Sequence, residues 1–387
     1  MERLKGLTTI IMAGGKGERL DPLTRDKAKP AITFGGIYRI IDFTLSNCLN
    51  SGIRRIYVLT QYGSFSLDQH LRMAWDIMHP DLGEFVYSMP PQQIMVNRWY
   101  RGTADSIYQN LTLLQEERPQ QVLILSGDHI YKMDYLKMLD FHLTREADMT
   151  VAAVMVPRGE AGSFGILQVD ASSQIQNFLE KPAAPPPVPG NPNFSLASMG
   201  VYLFRAEVLV QEVIKDAKKK AGKHDFGADI IPQMVGRKRV FAFNFQDEAT
   251  GAPLYWRDIG LLDAYFQAHQ DLLGGEPVFD LYDPDWPIRS RPSLYPPSKY
   301  LYSGKAIIVE DSLIASGCTI EGTVRESVLS PGVRMGPGAR VDAAILWDGV
   351  EIGAGAQVQR AIIEDGVKVP PGFTIGLDRK PTPAASR

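Results

Sequence analysis

The chain has 387 residues, 44% hydrophobic and 22% charged, with a formal net charge of −3. At roughly 100–200 residues per domain this length predicts two or three domains, and the apolar content suffices for a large core, which excludes disorder as the main state. No apolar run approaches the ~20 residues needed to cross a bilayer, and the near-neutral balance gives no electrostatic reason to expect DNA or RNA. The polar start leads straight into a short apolar stretch, so a cleaved signal peptide is not expected. Cys48 and Cys318 lie far apart, fit no metal-ligand spacing and suggest a reducing, cytoplasmic setting.

In chain order, the apolar run Leu7–Met12 predicts a buried parallel strand that ends at Ala13-Gly14-Gly15. Residues 39–51 carry Ile40, Ile41, Phe43, Leu45 and Cys48 near helical spacing, with Gly52 at the C-terminal end. A second strand is expected over 55–60, a helix over 103–115, a third strand over 121–126 ending at Gly127-Asp128, and a fourth over 149–156. Strands alternating with helices imply a doubly wound, mostly parallel α/β sheet. Ligands in such sheets bind beyond the carboxyl ends of the strands, so the loops after Met12, Thr60 and Ser126 are the places to look for chemistry. Prolines from Pro182 to Pro192 mark an extended loop within the same pattern, and a second Pro-rich stretch over 274–303 reads as an extended connector.

Beyond it the rhythm changes. Aliphatic residues recur at Leu329, Met335, Val341, Leu346, Ile352, Val358, Ile363, Val369 and Ile375, in steps of six and five, with Gly or Pro between most of them. A six-residue repeat signals a parallel β-helix with about three short faces per coil.

The loop after the first strand reads Ala13-Gly14-Gly15-Lys16-Gly17-Glu18-Arg19-Leu20, followed by Thr24 and Lys29-Pro30. Glycines after a strand let backbone N–H groups approach phosphate closely, and Arg19 and Lys29 add charge-assisted contacts. The pattern is neither a Walker A loop nor the dinucleotide-binding Gly-x-Gly-x-x-Gly. Gly14-Gly15-x-Gly17-x-Arg19-Leu20 with Lys29-Pro30 resembles the signature of sugar-1-phosphate nucleotidylyltransferases. Further stretches narrow the resemblance. They include Arg39-Ile40-Ile41-Asp42-Phe43, Leu59-Thr60-Gln61-Tyr62, Trp99-Tyr100-Arg101-Gly102-Thr103, Ser126-Gly127-Asp128-His129, Glu180-Lys181-Pro182, Ser198-Met199-Gly200, His224-Asp225-Phe226-Gly227 and Tyr255-Trp256-Arg257-Asp258. Together they are similar to the glucose-1-phosphate adenylyltransferase family over nearly the whole chain.

That resemblance implies a nucleotidyltransferase domain over 1–273, the connector over 274–303 and a left-handed parallel β-helix over 304–387. It implies the reaction of ATP with glucose 1-phosphate to give ADP-glucose and pyrophosphate, the committed step of glycogen synthesis, with Mg²⁺ held by Asp128 and Asp258. Arg19, Lys29 and Asp128 would be catalytic. Ala13, Gly14, Gly15, Gly17, Arg19, Gln92, Gln93, Gly102 and Thr103 would hold the nucleotide. Tyr100, Gly165, Glu180, Lys181, Ser198, Asp225 and Trp256 would line the glucose 1-phosphate pocket. The residues themselves leave alternatives open. A Glu-Lys pair at a strand end is usually solvated, Trp256 could be core packing, and the base is not fixed by an amide such as Gln92. The resemblance also implies a cytoplasmic homotetramer controlled by sugar phosphates and by AMP, ADP or phosphate, with Arg39 and Gln61 at effector-linked positions. Asp26 stands where fructose-bisphosphate-responsive members tend to carry Lys, which leaves the activator open. The rival readings are a nucleotidylyltransferase for another base, a non-catalytic regulatory subunit, and a β-helix acyltransferase. The last is weakened because no histidine follows His269.

Overall fold

The computed structural model describes residues 4–91, 99–302, 304 and 306–376. The chain forms two compact units: Met1–Gly17, Asp26–Pro30 and Phe43–Trp256 make the first, and Glu18–Arg25, Ala31–Asp42 and Arg257–Arg387 make the second.

The first unit is built on a nine-stranded sheet. Its strands are β1 (Leu7–Ala13), β2 (Arg55–Thr60), β3 (Phe85–Met89), β4 (Gln121–Ser126), β5 (Met149–Pro157), β6 (Gly165–Val169), β7 (Ile175–Glu180), β8 (Phe194–Arg205) and β9 (Val240–Asn244). The order is β7-β6-β8-β4-β1-β2-β3, with β5 pairing β8 and β9. Strand β1 runs parallel to β2 and β4, with Met12 opposite Leu59 and Ser126. The loops after β1, β2 and β4 therefore leave from one edge. Ile10, Ile11, Ile56, Val58, Leu59, Val122, Ile124 and Leu125 are all buried, as strands covered on both faces require. Strand β8 runs antiparallel to β4, β5 and β6, so the sheet is mixed.

Helices α1 (Ile40–Asn50), α2 (Ser64–Ala74), α3 (Thr103–Gln109), α4 (Leu111–Glu117), α5 (Tyr135–Thr144), α6 (Ala206–Ala217) and α7 (Ile231–Met234) follow the strands. The single helix expected over 103–115 is two. Asn110 separates them, and its amide donates back to the Ser106 carbonyl at 2.8 Å and to the Tyr100 hydroxyl at 3.0 Å. An asparagine that satisfies itself locally competes with the helical ladder.

In the second unit, Thr33–Phe34 and Tyr38–Arg39 form a two-stranded ribbon. Its turn needs left-handed backbone at Gly35 and Gly36, with φ of 57° and 86°. The ribbon packs on helix α8 (Leu262–Gln270). The Gly35 N–H donates to His269 Nε2 at 3.1 Å, His269 Nδ1 bonds the Tyr265 carbonyl at 2.9 Å, and Phe34 lies on the imidazole. The Tyr265 hydroxyl donates to the Thr33 carbonyl and accepts from Trp347 Nε1 at 3.0 Å.

Trp347 belongs to the coils. Three sheets of short parallel strands stack one rung per coil, as in Thr319–Ile320, Arg334–Met335, Glu351–Ile352 and Lys368–Val369 on one face. This is the expected β-helix. Eight of the nine aliphatic positions, Leu329 through Val369, are buried in one column, and Ile375 packs partly buried against it. The first rung is Lys299–Tyr300 on Thr319–Ile320, inside the span read as a connector. Glycine at the corners is a packing requirement: a Cβ on Gly322 would overlap the Ala339 carbonyl of the next coil.

Two buried histidines make stability depend on pH. Burial pushes His269 down to about 4, only partly opposed by its bond to the Tyr265 carbonyl. His142, held between Thr150 Oγ1 and Gln121 Oε1, also falls to about 4, through burial first and then the Arg205 charge. Both are neutral in the fold, whereas an unfolded histidine titrates near 6.5. The unfolded state therefore binds more protons below that value. The stability they confer is complete above pH ~6.5 and lost as pH falls toward 4, by about 3 kcal/mol per site at most. Thermal unfolding from pH 7.5 to 4.5 should show this loss. A slope unchanged in His269→Gln would contradict the share assigned to His269.

Candidate active site

Asp128 follows β4 after Gly127, at the carboxyl edge of the sheet. A Cβ on Gly127 would sit 3.1 Å from Ile11 Cγ2, so the turn closes tightly onto β1. Lys29 Nζ donates to Asp128 Oδ2 at 2.8 Å, with the lysine side chain 7% exposed and the carboxylate 31% exposed. Ser126 Oγ donates to the other oxygen, and His129 Nε2 lies 3.4 Å from it. Burial works to raise the Asp128 pKa. The Lys29 and His129 charges, with hydrogen bonds from Lys29 and Ser126, outweigh it and hold the carboxyl well below the usual carboxylate range. An ionised, hard-oxygen ligand with residual exposure is what Mg²⁺ accepts, so the donor chemistry at Asp128 fits this metal.

Gln61, the residue after β2, reaches the glycine loop. A Cβ on Gly14 would come 3.1 Å from Gln61 Cβ, while Gly15 has nothing within 4 Å. Gln61 Oε1 accepts the Tyr100 N–H at 2.7 Å. Gln61 therefore ties the loop after β1 to the segment that leads into α3. Gln92 and Gln93 lie outside the described residues. Ala13 closes β1 and is buried, and Gly17 follows with φ of 67°.

Of the residues expected around the sugar phosphate, Glu180 ends β7, Gly165 lies opposite it in β6, and Asp225 converges with Glu180 on Gly227. Thr103 Oγ1 donates to Asp225 Oδ2 at 2.8 Å and accepts the Phe226 N–H at 3.0 Å. The other Asp225 oxygen accepts from Gly227 and Ala228 N–H groups. Glu180, at the end of β7, is so close that a Cβ on Gly227 would lie 2.7 Å from its Oε2. Its pKa is raised, first by burial and then by Asp225, against the lowering pull of Lys181 and Lys223. Gly165 is required opposite it, since a side chain there would overlap the Phe178 ring. Ser198 Oγ accepts the Gly200 N–H at 3.4 Å, and the nearby Tyr202 hydroxyl is pushed up by burial and by Asp225 and Glu180. Lys181 is 59% exposed, 3.7 Å from Glu180, and adopts left-handed backbone at φ 47°. A non-glycine residue there carries strain, which clusters at functional sites. Trp256 packs edge-on against His129 at 5.1 Å and Phe164 at 5.3 Å, with Nε1 buried and unpaired. Gly200 borders both His129 and Ser126, which joins this group to the Asp128 group.

Arg19 and Asp258 belong to the second unit. A Cβ on Gly260 would lie 2.7 Å from Arg19 Nη2 and 3.2 Å from Asp258 Oδ1, so guanidinium and carboxylate converge there. Arg39 lies in the same unit, 3.7 Å from Asp348, and its N–H donates to Asp42.

Sequence reasoning missed Tyr202, Ser126 and His129 as partners of the expected residues. Ser126 and His129 flank Asp128 within two positions, a signal available in the sequence. Tyr202 has none, because its role depends on the irregular register between Ser198 and Tyr202 in β8.

Comparison with known proteins finds relatives along most of the chain. A nucleotidyl transferase family model matches residues 8–275, and a GlmU-like C-terminal hexapeptide model matches 296–384. A glucose-1-phosphate adenylyltransferase of Koribacter versatilis is 47% identical over 374 residues, covering 95% of this chain and 90% of the relative. One from Rhodopirellula baltica is 46% identical over 385 residues, covering 97% and 86%. One from Methylococcus capsulatus is 46% identical over 344 residues, covering 87% and 80%. The chain belongs to the glucose-1-phosphate adenylyltransferase family. It is a nucleotidyltransferase, and the left-handed β-helix is the second half of that family's architecture. In this adenylyltransferase-family chain the glycine loop and Asp128 follow two adjacent parallel strands, β1 and β4, and Lys29 reaches Asp128 from a short helical turn, Lys29–Ala31. Among the described residues no helix is long and apolar enough to cross a membrane.

Proposed function

We propose that this chain transfers the adenylyl group of ATP to glucose 1-phosphate. The observation that carries the reading is the array of Glu180, Ser198, Tyr202 and Asp225, the last braced by Thr103, beside the Lys29–Asp128 pair. Carboxylates and hydroxyls accept and donate to the hydroxyls of a hexose, and Lys181 supplies a cation for its phosphate. A phosphate oxygen of glucose 1-phosphate attacks the α-phosphorus of ATP in line. The bond from that phosphorus to the β-phosphate oxygen breaks, and pyrophosphate leaves. The protein's work is positioning and charge neutralisation. Asp128 and Asp258 are the proposed Mg²⁺ ligands; the ion, when bound, neutralises charge on the phosphates. Lys29 fixes the Asp128 carboxylate and keeps it ionised. Gly14, Gly15, Gly17, Arg19, Gly102 and Thr103 are proposed to hold the nucleotide.

Pyrophosphate release from ATP, glucose 1-phosphate and Mg²⁺ tests this. Release with UTP, dTTP or GTP but not ATP would assign another member of the superfamily, and release with none would fit a regulatory subunit. Lys181→Ala should raise the glucose 1-phosphate KM more than it lowers kcat, a loss of ~2–4 kcal/mol in kcat/KM. An unchanged KM in steady-state kinetics would make Lys181 a surface lysine.

The proposal extends to a cytoplasmic homotetramer in glycogen synthesis, activated by sugar phosphates and inhibited by AMP, ADP or phosphate. Exposed Val278, Tyr282, Leu294 and Tyr302 in the second unit offer apolar surface that assembly would cover. Arg39 and Gln61 remain the proposed effector-linked residues.

A further inference from the structure

Two residues outside the expected site hold its most connected loop in place. His224 is 1% exposed, and its Nδ1 lies 2.9 Å from Asp216 Oδ2 at the end of α6. Asp216 is 2% exposed, and its second oxygen accepts from Lys219 Nζ at 2.8 Å. The lysine run 218–220 therefore lies past the end of α6, and its middle member anchors this carboxylate. With the carboxylate as acceptor, His224 donates from Nδ1–H.

The backbone of His224 is left-handed, with φ of 52°. That turns its carbonyl toward the start of α3, where it accepts N–H groups of Ala104 at 2.9 Å and Asp105 at 3.2 Å. Gly102 is the only kind of residue that fits beneath, because a Cβ there would overlap the carbonyls of Lys223 and His224. The next residue, Asp225, then meets Thr103. A left-handed non-glycine backbone costs about 1–3 kcal/mol and persists only where its surroundings enforce it. The buried Asp216 bond is the side-chain contact that enforces it.

We propose that the Asp216–His224 pair is a positioning unit for the sugar phosphate pocket. It sets the His224 backbone so that Asp225, braced by Thr103, stands where a hexose phosphate meets it. The inference rests on the substrate reading above for the ligand, and on the hydrogen bonds alone for the clamp.

Three variants test it. Asparagine at 224 can place its amide N–H near the histidine Nδ1 position and tolerates left-handed backbone. Alanine has neither property, and glutamine carries the same amide one methylene too far out. His224→Ala and His224→Gln should raise the glucose 1-phosphate KM ~10-fold or more with kcat within ~5-fold, while His224→Asn stays within ~3-fold of the parent chain. Hydrogen exchange should rise at Ala104 and Asp105 in the first two only. If His224→Ala does not fold, His224→Gln decides. A merely structural pair would lower the melting temperature of all three variants and leave KM unchanged, which overturns the proposal. Equal KM losses in His224→Asn and His224→Gln, or unchanged exchange at 104–105, also overturn it. If the parent chain releases no pyrophosphate, the substrate reading fails, and the exchange measurement still decides the clamp.

Discussion

Asp128→Asn is expected to lower turnover ~10³-fold or more, because a catalytic metal contributes several kcal/mol of charge stabilisation and asparagine is a poor substitute ligand. The substitution keeps the shape of the side chain. It removes the charge that faces Lys29 at 2.8 Å and His129 at 3.4 Å. Because Lys29 is nearly buried, the variant should also lose stability, since the lysine charge no longer faces a carboxylate charge at 2.8 Å. Thermal unfolding alongside kinetics separates the two effects. A folded variant that retains more than about a tenth of the parent kcat would remove Asp128 from the catalytic role.

Deleting residues 304–387 is expected to yield a chain that folds poorly, assembles abnormally and loses any response to effectors. The reason lies within the second unit. Trp347 is fully buried and donates to the Tyr265 hydroxyl, Arg39 pairs with Asp348, and Gly36 lies against Val328 and the Leu329 carbonyl. Without the coils, Tyr265 and the 33–39 ribbon lose partners they pack against. Burial of such side chains stabilises by roughly 1.5–3 kcal/mol each, so the loss is large against ordinary domain stabilities. Light scattering and effector titration of the truncated chain are the measurements. A monodisperse truncation of unchanged subunit number with normal activation would refute the role given to the coils.

Much of this architecture was readable beforehand, and the reason is local periodicity. Leu329 to Ile375 keep a six-residue rhythm that only stacked coils satisfy, and each of those residues lies in the predicted column. Leu7, Arg55 and Gln121 open strands at the expected positions because buried parallel strands are continuous apolar runs. Strands β3, β6 and β9 were not anticipated. Tyr87 in β3 is half-exposed and Gln168 in β6 is exposed, so the apolar patterns of these two are broken, whereas β9 is a short buried apolar run. Among the site residues, Lys29 and Asp128 were legible as types, but their mutual contact spans 99 residues. The tie from Gln61 to Tyr100, and the clamp from His224 to α3, involve backbone groups, which carry no residue signature at all.

The path of the chain between the two units has a practical outcome for gene fusion. Residues 18–25 and 31–42 belong to one compact unit with the chain that follows Trp256, while 26–30 and the long stretch from Phe43 to Trp256 belong to the other. No single cut divides the gene into two self-sufficient modules. A chimaera that exchanges the coils of two relatives at one junction near residue 300 would pair foreign coils with the native 33–39 ribbon. Mismatches should therefore surface at Gly36, Arg39 and Tyr265, far from the splice in sequence. Recombinants that also transplant residues 18–42 should recover expression where single-junction ones do not.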